Sequence, residues 1–576
     1  MKPALQITLL IVLFCVLAAV AGWLWWQPDN QPISSAPAPV THVERPPPGS
    51  LQVPGDDHTA EEQRYQAELQ ARVDGLVRDA ASADAAAVAA SERKLPTAAL
   101  PLLQAAITSG NLPSATTRPI GEALGQDAVR LGNALWTQQR MAWYRSHLLD
   151  VSEKISDKKP WAAPSRAVVQ AAVRLWSNDP RSSGDEDSII WREANPACKA
   201  NCTDPLMWLA WGQNLMRWND TDRGWTAEVA TTAQEHMKES DYPLSFKMAA
   251  DFWAAKAIAL NTPVSNANKK KRDQLVDQGK ALFAKVIADR DLPRQQIFFL
   301  FEVMEGVSPA VYGDRRTLPA ALFDELKKSS VDPSVALEVQ GKFNTEYAWD
   351  ARGGGWADSV TQQGWQLFGQ RLAKAADALE QAWKLDPTNS DTAASMIDVE
   401  LGQGQGRDRM ELWFSRAMQA DPDNYWACSQ KLYYLEPKWY GSNEEMLKFG
   451  RECLAGGNWD AGIPYILVEA HLRASHYTDG GWQRSEQKAY FDNNPQAWDE
   501  ISSVYAQYRL HRPRSVGIEL EMARVASWSG HWNEANQLFN EVGDAYDTNV
   551  YSVEEQKRAR EIARRHASAS SQPSKF

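Results

Sequence analysis

Small and large apolar residues return along this chain at a fixed interval. Ala375, Leu379, Ala382 and Pro387 are each followed thirty-five residues later by Met410, Phe414, Ala417 and Pro422. Small positions let two antiparallel helices approach closely, a large one fills the gap between them, and the proline stops the helix before the next unit. The period therefore predicts stacked helical hairpins. Beyond these two units the pattern weakens. Phe449 falls one period further on, but Glu445 and Glu452 hold its small positions. Ala535, Phe539 and Val542 restore the pattern near the C-terminus, with Asp547 where the proline would stand. Among first helices, Ile397, Leu432 and Met522 occupy the large apolar position, whereas Gln362 holds it in the first unit. Asp408 with Glu411, and Ser442 with Glu445, have the spacing of a capping box at the starts of second helices.

The small-x3-large-x2-Ala-x4-Pro pattern, with Met410 as its one departure, is that of the second helix of a tetratricopeptide repeat. Elsewhere the periodicity is helical too. Tyr65, Leu69, Val73, Leu76 and Val77 share a face within 60–93, and Tyr242–Leu260, Lys270–Arg290, Gln295–Val307 and Pro319–Lys328 read as amphipathic helices. Asp204 with Pro205 marks a helix start, after which Trp208, Trp211, Leu215 and Trp218 fall on one face. Strand-like alternation is nowhere sustained. Glu346–Ala357 reads as a loop between two helical blocks, because Gly353, Gly354 and Gly355 open backbone conformations closed to other residues. The polar stretch after His566 is expected to fray.

Near the N-terminus the pattern changes to a continuous apolar run. Leu5 to Trp26 is interrupted only by Gln6 and Thr8, and about twenty such residues span a bilayer as a helix. Lys2 before it and Asp29 after it place the N-terminus in the cytoplasm and the bulk of the chain outside. Ala19-Val20-Ala21 has the form of a cleavage site, so a removed signal peptide is the competing reading; both export the chain. Gln27 to His58 carries eight prolines and reads as an extended tether.

Composition narrows the function. A net charge of -12 and a pI near 5.4, without a basic stripe, argue against nucleic acid. The twenty-five tryptophans read either as spacers between helices or as exposed stacking surfaces. Five cysteines include Cys15 in the apolar run. Cys198 and Cys202 are a candidate short-loop disulfide in an oxidising compartment. Cys428 and Cys453 form a second candidate, since a hairpin turn around 439–442 brings them level. The nine histidines form no metal or hydrolase signature, and Glu444 and Glu445, as helix neighbours, do not face each other as a catalytic pair would. No residues for catalysis, cofactor or metal binding emerge.

The runs Arg352-Gly-Gly-Gly-Trp-Ala, Met410-Glu-Leu-Trp-Phe-Ser-Arg-Ala, Pro437-Lys-Trp-Tyr-Gly-Ser and Phe449-Gly-Arg-Glu-Cys resemble the bacterial domain of unknown function 4034 family over about 346–471. The resemblance implies a bacterial host, a periplasmic location and a tetratricopeptide-like fold, and no activity. The expectation is an all-α protein: a membrane-spanning segment (1–26), a Pro-rich linker (27–58), a Trp-rich helical region (59–345), a right-handed superhelix of tetratricopeptide-like hairpins (346–566) and a polar tail (567–576). It would be a single-pass protein of the inner membrane that binds a protein or peptide in the envelope. Trp349, Arg352, Trp356, Trp439 and Tyr440 are the candidate partner-binding residues, being the types that dominate interfaces. The alternatives are carbohydrate or peptidoglycan binding through exposed tryptophans, and a glycan-processing enzyme with a helical toroid.

Overall fold

A computed structural model describes residues 133, 137 and 140–570, apart from 178–185, 218–222, 290–291, 330, 479–480, 483–486, 512–514, 544, 546 and 548–549. The apolar run at Leu5–Trp26, the proline tether, the helical pattern over 60–93, Cys15, Trp218 and the last six residues lie outside the described set. Among the described residues no helix is long and apolar enough to cross a membrane.

The described chain is all-α. Its helices run α1 (Asp150–Ser156), α2 (Ala162–Ser177), α3 (Glu186–Lys199), α4 (Pro205–Arg217), α5 (Arg223–Lys238), α6 (Leu244–Asn261), α7 (Asn266–Ile287), α8 (Arg294–Tyr312), α9 (Thr317–Leu326), α10 (Pro333–Arg352) and α11 (Gln362–Leu385). There follow α12 (Ser390–Gln403), α13 (Arg407–Ala420), α14 (Tyr425–Tyr434), α15 (Asn443–Gly456), α16 (Ile466–Ala474), α17 (Gln487–Asn493), α18 (Gln496–His511), α19 (Val516–Trp528), α20 (Trp532–Val542) and α21 (Val553–Ser570). The one ladder among the described residues is a two-residue antiparallel pair, Tyr477–Thr478 with Gly481–Trp482.

Small residues let neighbouring helices touch, as the periodicity requires. A Cβ on Gly341 of α10 would lie 2.3 Å from Leu379 of α11, and one on Gly364 would lie 2.8 Å from the carbonyl of Ala351. Moving back along α10 therefore means moving forward along α11, so the two helices are antiparallel. Ala375, Leu379 and Ala382 are buried on α11, and Met410 and Ala417 on α13, with Pro387 and Pro422 just past the two helix ends. In the first helices Ile397, Leu432 and Met522 are also buried. The buried apolar side chains gather into one cluster from Trp143 to Phe343 and another from Ala375 to Ala563. Between them a smaller group joins Ala348, Phe368 and Leu372. Arg294, at the start of α8, reaches Asp386, past the end of α11, in a buried ion pair of 3.0 Å.

Many of the described tryptophans pack against other helices, and seven of them are buried. Trp143, Trp161, Trp176, Trp211, Trp253, Trp413 and Trp498 are buried, with Trp176 against Phe246, Trp253 and Phe299. The start of α4 is capped as expected: Asp204 accepts from the backbone N–H of Leu206 at 2.9 Å, and its carboxylate also takes the hydroxyls of Ser152 and Tyr242. Ser442 caps α15 through the N–H of Glu445.

Five expectations are corrected. Asp408 does not cap α13; it lies inside the helix, whose N-cap is Gly406 at a φ of +106°, and Glu411 instead meets Arg407 and Lys431. The distinctive loop begins at Gly353, since 346–352 complete the last two turns of α10. The C-terminal helix continues past His566 to Ser570. The Cys198–Cys202 disulfide is not formed: both thiols are free, and Cys202 is buried in the core. Cys428 and Cys453 are also unbonded, yet the α14–α15 hairpin lays them side by side. The Cys428 contact and then burial hold the Cys453 thiol protonated.

Candidate functional site

The Gly353–Gly355 turn that ends α10 is shaped by the last residue of that helix. Gly353 takes a φ of +74°, and the Arg352 guanidinium donates through Nη1 to the carbonyls of Gly353 (3.0 Å) and Gly355 (2.7 Å). The loop is thereby folded back over the helix end. The same guanidinium lies 5.8 Å from Trp349, 5.8 Å from Trp365 and 5.5 Å from Trp439, so three indoles surround one cation. Arg352 thus organises the loop and the rings rather than standing free to meet a ligand.

Those rings continue into a strip. Trp365 in the first turn of α11 meets Phe368 at 5.8 Å, Phe368 meets Trp349 at 4.9 Å, Trp349 meets Trp439 at 5.7 Å, and Trp439 meets Tyr433 at 5.9 Å. Lys438 and Arg473 flank Tyr433 at the far end. Four of these rings, from α10, α11, α14 and the α14–α15 turn, line one surface over the buried Phe368, open to solvent at Trp365, which is 41% exposed.

Of the five residues singled out in the sequence, the structure brings together Trp349, Arg352 and Trp439. Trp356 is 62% exposed on the loop before the short 3-10 turn Ala357–Ser359. Tyr440, 47% exposed, turns toward Tyr434 and the α12–α13 loop at Gly404. Sequence reasoning missed Trp365, Phe368 and Tyr433. The pairing of Trp365 with Phe368 at helical spacing was a signal, but the contact of both with Trp349 is not local.

Beyond the strip, a rule repeats across the helices that begin each hairpin: an aromatic donor on one meets a carboxylate on another. The indole of Trp349 (α10) donates to Asp398 (α12) at 3.1 Å, and the hydroxyl of Tyr425 (α14) donates to Glu469 (α16) at 2.6 Å. Tyr465, just before α16, donates to Glu521 (α19) at 2.6 Å. Burial pushes the Asp398 carboxyl up to about 7, with the charge of Glu346 adding to it. Glu305 on α8 is likewise pushed up to about 7, by burial against the pull of Arg316, with Glu346 and Glu302 adding to it. Glu521 is raised by burial and by Glu469 and Asp547.

Carboxyls poised near neutrality suit proton exchange as well as cation binding. Among the described residues no group of three or more His, Cys, Asp or Glu could hold a metal ion. His471 contacts Tyr490 and Glu500 at 2.8 Å each, but it is buried between helices and supports the packing there. No protein-family model matches the chain, and no curated protein or solved structure was found similar to it.

Proposed function

We propose that this chain is a membrane-anchored scaffold of the bacterial envelope that holds an extended segment of a partner protein against the aromatic strip and the carboxylate rungs beside it. The reading takes α10–α21 as tetratricopeptide-like hairpins wound into a right-handed superhelix. It takes the first 26 residues as a single-pass inner-membrane anchor and the bulk as periplasmic.

The observation that carries the proposal is the five-ring strip with Arg352 inside it. Aromatic rings already fixed by their neighbours bury much area on binding with little further loss of entropy. Helical repeats offer such a face along several units, where weak contacts accumulate. The test is co-purification of the tagged chain from detergent-solubilised membranes, beside a Trp365→Ala variant. A partner captured by the parent and lost by the variant supports the proposal; identical recoveries overturn it. For topology, a reporter active only in the periplasm should work when fused after Phe576, and protease added to spheroplasts should remove the soluble part.

A second reading is carbohydrate binding, favoured by the exposure of Trp356 and Trp365. Retention on a peptidoglycan column that Trp356→Ala and Trp365→Ala abolish would favour it over a protein partner.

A further inference from the structure

We infer that the stretch of this face between α10 and α12, around Asp398, is a subsite for a lysine or arginine side chain carried by an extended peptide of the partner. The inference rests on the protein-binding reading above and deepens it by giving the partner a charge.

Six carboxylates elsewhere between α10 and α20 each have a cation within ion-pair distance. Glu338 has Lys342 at 3.0 Å, Glu400 has Arg409 at 2.7 Å, and Glu411 has Lys431 at 2.7 Å. Glu436 has Lys438 and Arg473, Glu500 has Arg451, and Glu519 has Arg509. A charge taken partly out of water needs such a partner, because desolvation otherwise drives it to neutrality. Asp398 departs from this pattern. It is half-buried, one indole N–H is its hydrogen-bond partner, and no cation among the described residues lies within ion-pair distance. Glu346, itself paired with Arg316 at 3.7 Å, is of the same sign, and burial first and that charge second lift the Asp398 carboxyl toward neutrality.

The surroundings fit the missing charge. Trp349 presents its edge to Asp398, and through Trp349 the carboxylate adjoins Trp439 and Tyr433. These walls accept cations already, since Arg352 lies against Trp349 and Trp439, while Lys438 and Arg473 lie against Tyr433. An ammonium or guanidinium arriving here would relieve the repulsion between Asp398 and Glu346 and gain the faces of the rings. An extended backbone suits the site because the donor-to-carboxylate rungs continue along the face, from Tyr425 to Glu469 and from Tyr465 to Glu521.

The test uses the full chain in detergent and fluorescence anisotropy of a fluorescein-labelled peptide in which lysine alternates with glycine and serine. Two analogues carry glutamine or glutamate in place of lysine. The lysine peptide is expected to bind roughly five- to tenfold more tightly than the glutamine peptide, and more tightly still than the glutamate one. Asp398→Asn, which keeps the shape and the indole hydrogen bond, should remove most of that preference, and Glu346→Gln, an exposed change, part of it. Equal binding of the lysine and glutamine peptides, or a lysine preference that survives Asp398→Asn, would overturn the cation subsite while leaving the strip as a peptide-binding face. Absence of lysine-peptide binding overturns the subsite too. The broader reading is judged separately, by whether Trp365→Ala loses the co-purified partner.

Discussion

The indole N–H of Trp349 reaches the carboxylate of Asp398 forty-nine residues further along the chain, joining α10 to α12. Since the folded-state carboxyl is raised to about 7 from 3.8, it stabilises the fold fully only below the ordinary carboxylate range, and that contribution is lost as pH rises through about 7. Asp398→Asn should therefore stabilise the protein near pH 8, by roughly 1–3 kcal/mol, because each tenfold change in a proton-binding equilibrium is worth about 1.4 kcal/mol. The advantage should shrink as pH falls toward 5. Denaturant unfolding at the two pH values measures this, and an equal effect at both would show that Asp398 is not titrating as described.

The reading of second helices succeeded for a physical reason. Ala375, Leu379 and Ala382 each face a neighbouring helix, so their sizes are dictated locally and leave a period in the sequence. First helices are less legible because they also carry polar contacts: Tyr425 and Ser429 on α14 meet Glu469 on α16, which Arg473 also meets. The end of α10 was misplaced because Trp349 and Arg352 look like loop residues beside three glycines, whereas only Gly353 needs the conformation that stops the helix. The strip itself was half visible. Residue type pointed to Trp349, Arg352 and Trp439, but contacts among α10, α11 and α14 have no local signature, so Trp365, Phe368 and Tyr433 were passed over.

Two helical glycines should respond oppositely to alanine. At Gly450 on α15 a Cβ would lie 2.8 Å from the Cα of Leu467, a backbone atom that cannot swing aside. Gly450→Ala should cost roughly 1–3 kcal/mol through overpacking. Gly369 on α11 has nothing within 4 Å of that position. There the same change should stabilise by roughly 0.5–1 kcal/mol, the ordinary helix preference. Urea unfolding of the two variants decides it, and a stabilised Gly450→Ala would mean that α15 and α16 are not packed so closely.

Trp356 and Trp439 separate surface from core. The first is 62% exposed, and the second is half-buried among Trp349, Tyr433 and Arg352. Trp356→Ala should change stability by less than about 0.5 kcal/mol, as surface changes do. Trp439→Ala should cost roughly 2–4 kcal/mol, because it opens a space in the strip. A large loss in both would place Trp356 in the core and remove it from any binding role.

The buried relay around His471 should give the protein an acid sensitivity of opposite sign to that of Asp398. The ring contacts the Tyr490 hydroxyl at one nitrogen and Glu500 at the other, both at 2.8 Å, and Arg451 holds Glu500 at 2.9 and 3.1 Å. With Tyr490 donating to Nδ1 and Nε2–H donating to Glu500, the neutral imidazole satisfies every partner. Burial, the largest cause, depresses the folded-state pKa below 6.5, with Glu500 opposing and Arg451 adding to the depression. When a folded-state pKa is depressed, the unfolded chain takes the proton first; the stabilising contribution is complete above 6.5 and is lost as pH falls through the folded value. His471→Gln should lower stability near pH 7 by roughly 1–3 kcal/mol through the disturbed hydrogen bonds. It should also flatten the decline in unfolding free energy between pH 7 and pH 5. Because Asp398 and Glu305 gain stability over the same interval, the informative quantity is the difference between parent and variant at each pH. A difference that stays constant from pH 7 to pH 5 would mean that His471 does not take up a proton on unfolding, and the relay would then be a packing element with no part in the acid response.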